Sequence, residues 1–261
     1  MQYGSSSWTI LNTVLNFNVF FLAQWEEYHT GQLNTNNGLF GLTEGQFAQF
    51  GMMFSVAVLG PGSWQVPLST LLPSAVANLP LVGSFIALEI RHAVLLPMAA
   101  ITLMLAFQSF VRVVFTVKQV NLKATDRGSK NFGTVTSLCQ LGPQYAMYLL
   151  GYWLTTTPHF QKAPLLIFLL WGTSCSFYTT IVIVAQMSKS PIDWRSSFVR
   201  IALPMFLITT FLSRQWYLDY DVRDEAAVGA WALILVPQYL YFALGVCSDL
   251  SSYLGISVLT I

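Results

Sequence analysis

Charge is what this sequence lacks most. Asp, Glu, Lys and Arg make up only 9% of its 261 residues, whereas 54% of the residues are hydrophobic and 15% are aromatic. Soluble domains carry about 25% charged residues, because polar side chains must cover their core. Lipid is the simplest cover for a chain with so few of them, so the composition predicts an integral membrane protein.

Basic blocks and cysteine patterns are missing as well. The formal net charge is +1, and no cluster of Lys and Arg suggests a nucleic-acid partner. Cys139, Cys175 and Cys247 lie far apart in apolar segments. Their spacing fits neither a metal site nor a disulfide framework. The chain also lacks the HExxH, GxSxG, P-loop and GxGxxG motifs, so the common hydrolase and nucleotide-binding sites are not indicated.

What the sequence does contain is a series of apolar segments long enough to cross a hydrocarbon core with roughly 20 residues each. Seven are predicted: Trp8–Gln24, Gln46–Gly60, Ala93–Val117, Thr134–Thr156, Pro164–Met187, Phe198–Tyr217 and Ala227–Ser248. Residues 61–84 are rich in Pro and Gly and are interpreted as an interfacial or re-entrant stretch. The predicted fold is therefore an all-α, polytopic membrane protein with about seven transmembrane helices in a single domain, residues 1–261.

The distribution of Lys and Arg predicts an orientation. The loops after the first, third and fifth segments contain Lys118, Lys123, Arg127, Lys130, Lys189, Arg195 and Arg200. The opposite side contains Arg91, Lys162, Arg214 and Arg223. The positive-inside rule places the richer side, and with it the loop WEEYHTG (residues 25–31) expected after the first segment, on the cytoplasmic or matrix face.

Polar residues inside the predicted spans are candidates for function. Asn12 and Asn16 are four residues apart and share one helical face, where they serve either interhelical packing or a polar lining. Arg112 lies inside the end of the third span. It either snorkels to the interface, or meets a lipid phosphate or an acidic partner such as Glu26 or Glu27.

Two other charged clusters are expected to have no catalytic or metal-binding role. Glu89, Arg91 and His92 precede the third span and are expected to form a salt-bridged interfacial cap. The acidic residues between the sixth and seventh spans show no calcium-loop pattern and are expected to lie in a solvated loop; they are Asp219, Asp221, Asp224 and Glu225. No metal-ligating residue is predicted.

Four motifs in order carry a resemblance to a known family. They are QWEEYHTG (residues 24–31), VLGPGSWQ (58–65), FQSFVRVVFT (107–116) and IVIVAQMSKSPID (181–193). The chain resembles, over roughly residues 8 to 204, the eukaryotic choline- and ethanolaminephosphotransferases of the CDP-alcohol phosphotransferase superfamily. Their W-x-x-Y-x-[ST]-G-x-L segment matches Trp25, Tyr28, Thr30, Gly31 and Leu33, and a similar Met-[ST]-Lys-Ser element matches Met187 to Ser190.

This resemblance implies a polytopic helical enzyme that transfers phosphocholine or phosphoethanolamine from a CDP-alcohol to diacylglycerol with Mg or Mn. The chain departs from the family in one respect. The metal-binding motif D-G-x2-A-R-x8-G-x3-D-x3-D is missing from it. In the family that motif precedes the segment that QWEEYHTG matches, so the chain is expected to correspond to the region after it. No catalytic residue and no cofactor are therefore assigned; Mg or Mn would enter only with a catalytic half supplied elsewhere.

Two functions follow as hypotheses. The first is a catalytically silent homologue that acts as a structural, lipid-binding subunit of a larger membrane complex, for which a mitochondrial inner-membrane assembly is one plausible host. The second is part of an active CDP-choline or CDP-ethanolamine:diacylglycerol phosphotransferase whose metal-binding half is missing or lies on another chain. A transporter or channel is disfavoured, because the spans lack an ordered set of ionisable residues.

Both hypotheses imply the same partners and the same candidate residues. The expected partners are phospholipid or diacylglycerol-like lipids and other membrane subunits, in the mitochondrial inner membrane or the endoplasmic reticulum. The candidates for a lipid- or substrate-binding rim are Trp25, Glu26, Glu27, Tyr28, His29, Gly31, Asn12, Asn16 and Arg112.

Overall fold

A computed structural model describes residues 7–33, 42–70, 88–123, 134–157, 160, 163–214 and 223–255. Within these ranges the chain is helical and forms no β-strand, and its one isolated β-bridge joins Pro67 and Glu89. The fold class predicted from composition is thus confirmed as all-helical. The chain divides into two compact units, Met1–Asp126 and Arg127–Ile261, which are described separately. The interpretation as a single transmembrane domain stays a prediction.

The first unit contains two long helices and several shorter helical elements. Its α-helices are α1 (Ser7–Thr30), α2 (Leu42–Leu59), α3 (Ile90–Ala93) and α4 (Leu95–Lys123), with 3-10 turns at Pro61–Trp64 and Leu68–Thr70. Gly60 ends α2 with a positive φ of 81°, a conformation that residues with a Cβ rarely adopt, and Pro61 then opens the first 3-10 turn. This part of the predicted re-entrant stretch is not a spanning helix; residues 71–87 lie outside the described part.

Helices α1 and α4 run parallel and pack along their lengths. The ring centroids of Trp8 and His92 are 4.5 Å apart near the start of both helices. Glu26 meets Arg112 near the other end, at 2.6 Å between Oε1 and Nε. The sequence offsets are 92 − 8 = 84 and 112 − 26 = 86, so the register is nearly constant. The ends of the first and third predicted spans therefore lie on the same side of the unit, as the predicted topology requires.

The second unit is built around an antiparallel helix pair. Its elements are α5 (Thr134–Cys139), α6 (Gly142–Thr155), α7 (Pro164–Met187), α8 (Trp194–Ser197), a π-helical turn (Phe198–Ala202), α9 (Leu203–Arg214) and α10 (Arg223–Leu254). The indole N–H of Trp171 on α7 donates to the carbonyl of Met147 on α6 at 2.8 Å. A Cβ on Gly151 would lie only 2.3 Å from that indole nitrogen, so this close helix contact requires glycine.

Aromatic contacts bring the remaining long helices of this unit onto the same core. Phe177 on α7 lies 5.3 Å from Tyr239 and 5.5 Å from Phe242 on α10, measured between ring centroids. Trp153 on α6 lies 6.3 Å from Phe206 on α9. Such tilted and edge-on pairs are favourable because the positive edge of one ring meets the negative face of the other.

Three helices of the described part are long and apolar enough to cross a membrane by length and composition: Ile90–Thr116, Pro164–Met187 and Ala226–Tyr253. They coincide with the third, fifth and seventh predicted spans. Large apolar side chains on two of them face outward, since Leu103 and Leu233 are 69% and 77% exposed. Such faces suit contact with lipid or with another membrane protein.

The helix boundaries correct the predicted segments in three places. Helix α1 continues beyond the predicted end of the first span as far as Thr30. The fourth span is interrupted at Gln140 and Leu141, between α5 and α6. The acidic residues Asp224 and Glu225, predicted in a loop, belong to the first turn of α10, whereas Asp219 and Asp221 lie outside the described residues.

Candidate functional site

The segment QWEEYHTG is the end of α1 and not a loop, which corrects the sequence interpretation. The helix continues through Thr30, and Gly31 ends it with a φ of 70° while its N–H donates to the carbonyl of Glu27 at 2.8 Å. The hydroxyl of Thr30 donates to the carbonyl of Glu26 at 2.8 Å. The Thr-Gly pair thus has a local role, because a residue in the left-handed region ends a helix and glycine adopts it without strain.

Glu26 and Arg112 form the centre of the candidate site. Arg112 donates from Nε to Oε1 of Glu26 at 2.6 Å and from Nη2 to Oε2 at 2.9 Å. The Glu26 side chain is 0% exposed, while the Arg112 side chain keeps 37% of its surface exposed. This bidentate geometry is the strong form of a carboxylate–guanidinium pair. Of the alternatives left open for Arg112, the structure shows the pairing with Glu26.

Aromatic side chains next to Glu26 in the sequence contact one another along the end of α1. Trp25 is fully buried and its ring meets His29 edge-on, with centroids 5.3 Å apart. His29 also meets Tyr28 edge-on at 5.0 Å. Glu27, Tyr28 and His29 are half-buried. The candidate residues of this segment therefore divide into an inward pair, Trp25 and Glu26, and a more accessible group beside it.

The predicted asparagines do not join this cluster. Asn16 donates from Nδ2 to the carbonyl of Asn12 at 2.7 Å, a bond within α1. Asn16 precedes Glu26 by ten residues, or about 15 Å along the helix axis at 1.5 Å per residue. Both asparagines are half-buried. The structure thus separates Asn12 and Asn16 from the rim to which the sequence analysis assigned them.

Asn18 is the buried asparagine of α1, and it was not among the residues predicted to form a site. It is 8% exposed, and its Oδ1 has no hydrogen-bond partner among the described residues. The register of the α1–α4 pair places it level with residues 102 to 104, where the buried Thr102 lies. The signal was present in the sequence, because Asn18 shares a helical face with the apolar Leu15 and Leu22.

The charged residues before α4 form the expected cap. Nε of Arg91 lies 2.5 Å from Oε2 of Glu89, and both side chains are largely covered. His92 stacks on Trp8 at the start of α1. Helix α1 therefore contacts the region of α4 at two levels. Near the start of both helices the contact is the Trp8–His92 ring pair, and near the end of α1 it is the Glu26–Arg112 ion pair.

A second feature lies in the other unit, at the turn that contains SKSPID. Helix α7 ends at Met187, and Lys189 adopts a φ of 53° as the chain reverses. The residues that follow and the short helix α5 form an open pocket of about 440 Å³. Its lining residues are Val135, Thr136, Cys139, Pro191, Ile192, Asp193, Trp194 and Arg195. No site was predicted here from the sequence.

No group of three or more His, Cys, Asp or Glu residues capable of holding a metal ion occurs among the residues that the structure describes. Comparison of the chain with protein-family models, with curated proteins and with solved structures found no match. The resemblance to the choline- and ethanolaminephosphotransferases therefore rests on the four quoted motifs alone.

Proposed function

We propose that this chain is an integral membrane protein that serves as a structural, lipid-binding subunit of a larger membrane complex. In this proposal it is a catalytically silent homologue of the choline- and ethanolaminephosphotransferases. The observation that carries the proposal is the pairing of Glu26, the buried carboxylate of QWEEYHTG, which is one of the four motifs that carry the resemblance. Both of its oxygens accept hydrogen bonds from Arg112.

That arrangement favours a structural role for physical reasons. A carboxylate that takes up a proton or coordinates a metal needs an accessible lone pair, whereas Glu26 is covered and its charge is compensated. Removing its partner would leave a buried charge, which costs several kcal/mol. The pair is therefore better suited to holding α1 against α4 than to reacting with a substrate.

The membrane topology in this proposal has seven spans. The parallel direction of α1 and α4 supports it, because two parallel spans of one chain require an odd number of spans between them. Helix α2 supplies that one crossing with 18 residues, about 27 Å at 1.5 Å per residue. The pair α5–α6, then α7, α9 and α10 supply the remaining four.

The exposed apolar faces support a lipid- or subunit-covered surface. Phe47, Phe50, Phe54 and Val58 recur at helical spacing along α2, and each is more than 60% exposed. In water such a stripe would be an aggregation hazard, whereas lipid tails or a neighbouring transmembrane subunit would cover it. The cover proposed here is a mixture of bound phospholipid and adjacent subunits.

Four measurements, on native membranes and on the purified protein, test this function. The chain should remain in the pellet after alkaline carbonate extraction and should migrate with a large complex after mild solubilisation. The purified protein should form no product from CDP-choline or CDP-ethanolamine, diacylglycerol and Mg or Mn. Separation of mitochondrial from endoplasmic-reticulum membranes would assign the compartment.

The outcomes separate the proposal from its alternative. Release into the carbonate supernatant would contradict membrane integration, and migration as a lone small species would contradict the subunit role. Turnover by this chain alone would contradict catalytic silence. Turnover that appears only when a second chain carrying the D-G-x2-A-R motif is added would instead support the alternative, part of an active phosphotransferase.

A further inference from the structure

The pocket beside the SKSPID turn combines an apolar wall with two opposite charges. Val135, Pro191 and Ile192 form its apolar wall, while Asp193 and Arg195 lie exposed at its edge. Its volume of about 440 Å³ falls in the range of small-molecule sites. A ligand that suits it has an apolar part and a head that carries both signs of charge.

The charges of Asp193 and Arg195 do not neutralise each other. No ion pair joins Asp193 to Arg195 in the part of the chain that the structure describes. Oδ1 of Asp193 accepts the backbone N–H of Ser196 at 3.1 Å, which fixes the carboxylate while leaving its second oxygen available. The Arg195 guanidinium lies over the ring of Trp194, 5.4 Å from its centroid. That contact holds the guanidinium at the pocket's edge and covers one face of the indole.

The position of the pocket matches the headgroup layer in the proposed topology. It follows directly on α7, one of the three helices long and apolar enough to cross a membrane. Lys189 and Arg200, close by in the sequence, are exposed cations. Cations and a tryptophan at the end of a span are typical of the membrane–water interface.

We propose that this pocket binds an ethanolamine phospholipid. Arg195 contacts the phosphate, Asp193 accepts hydrogen bonds from the primary ammonium, and an acyl chain lies against Val135 and Ile192. A choline headgroup fits less well, because its quaternary nitrogen has no N–H and favours an open aromatic face. An anionic headgroup without an amine leaves Asp193 uncompensated. The inference deepens the proposed lipid-binding function and rests on membrane integration, but its residues are independent of QWEEYHTG.

The free cysteines offer a direct assay. Cys139 lines the pocket and is partly exposed, Cys175 is buried, and Cys247 is exposed on α10. In a Cys247→Ala background, alkylation by a maleimide should therefore report on Cys139. The full chain is placed in phosphatidylcholine nanodiscs, with phosphatidylethanolamine or phosphatidylglycerol added at matched fractions. Phosphatidylethanolamine should slow alkylation of Cys139, and phosphatidylglycerol should not.

Charge-neutralising variants identify the contacts. Arg195→Gln and Asp193→Asn should each weaken the protection by phosphatidylethanolamine about tenfold, the usual effect of losing one charge-assisted hydrogen bond. The matched control is Arg200→Gln, which removes an exposed cation from the following π-helical turn without touching the pocket. Asparagine can still accept the bond from Ser196, so Asp193→Asn keeps the local fold even if Arg195→Gln perturbs it.

Equal protection by all three lipids, or equal effects of Arg195→Gln and Arg200→Gln, would overturn the inference. Soluble glycerophosphoethanolamine should protect only at far higher concentration, because it lacks the acyl chain. Protection at the same concentration as the lipid would assign the pocket to a soluble headgroup and overturn the lipid assignment. If the chain stays in the carbonate pellet but shows no headgroup preference, only the lipid assignment of this pocket is contradicted. If the chain is released from the pellet, the proposed function is contradicted as well.

Discussion

Two pairs of opposite charges in this protein are arranged in opposite ways. Glu26 and Arg112, on helices 86 residues apart in sequence, form a bidentate pair whose carboxylate is completely covered. Asp193 and Arg195, two residues apart, lie exposed at the edge of a pocket and make no ion pair with each other. The first arrangement holds two helices together, whereas the second leaves its charges available to a ligand. Proximity in sequence thus says little about which charges are paired.

The largest effect on stability should come from breaking the Glu26–Arg112 pair. Arg112→Met leaves the Glu26 carboxylate buried without a partner, which should lower the free energy of unfolding by about 3–5 kcal/mol. The measurement is denaturant or thermal unfolding in detergent. Glu27→Gln, on the neighbouring half-buried carboxylate, is the matched control and should have a much smaller effect.

The double variant Glu26→Met, Arg112→Met sharpens this test. Replacing both partners with apolar residues of similar size removes the buried charge and should recover much of the lost stability. If the single and double variants were equally unstable, the pair would not be the element that holds α1 against α4.

The next effect concerns close packing between two helices of the second unit. Gly151→Ala places a Cβ 2.3 Å from the Trp171 indole nitrogen and must push α6 and α7 apart. The expected loss is about 1–3 kcal/mol of unfolding free energy. Gly229→Ala, where a Cβ meets nothing within 4 Å, is the control. An unchanged melting temperature for Gly151→Ala would mean that the Trp171–Met147 hydrogen bond is not required.

A smaller effect is expected at the end of the QWEEYHTG segment. Gly31 has a φ of 70° and open space around its Cα, so Gly31→Ala tests the backbone conformation alone. The strain of a left-handed alanine should cost about 1 kcal/mol. Gly45→Ala within α2, which has no positive φ, should be neutral or slightly stabilising by the same measurement. A loss well above this size at Gly31 would indicate a ligand contact beyond the helix cap.

The smallest effect on stability should come from neutralising Asp193 or Arg195. Asp193→Asn and Arg195→Gln should each change the free energy of unfolding by less than about 0.5 kcal/mol, because both side chains are exposed and neither forms an ion pair with another described residue. Unfolding in detergent without added lipid checks this. A loss comparable with that of Arg112→Met would erase the contrast between the two pairs.

The sequence predicted helix positions better than it predicted contacts. Three predicted spans coincide with helices of suitable length and apolarity, because hydrophobic length is a local property that can be read in one dimension. The predictions were less accurate at boundaries. The polar residues Trp25–Thr30 suggested a loop, yet α1 continues through them because Trp25 and Glu26 pack inward.

The candidate site was only partly predictable for the same reason. Arg112 was expected to meet Glu26 or Glu27 as one alternative, and helical spacing favours Glu26 because it shares a face with Leu15 and Leu22. Asn12 and Asn16 were selected for their shared face, but the face that packs against α4 carries Asn18 instead. The pocket at Asp193 and Arg195 had no local signal, since its other wall belongs to α5.

By itself, the sequence determined that this chain is helical and apolar, and where its longest apolar helices lie. These properties follow from composition and from the order of residues along a single helix. Only the tertiary structure decided that Arg112 neutralises Glu26 and that Trp171 packs closely against Gly151. It also decided that Asp193 and Arg195 are exposed at a pocket and are not paired with each other. Each of these depends on the relative register of helices distant in sequence, which packing sets and local pattern does not.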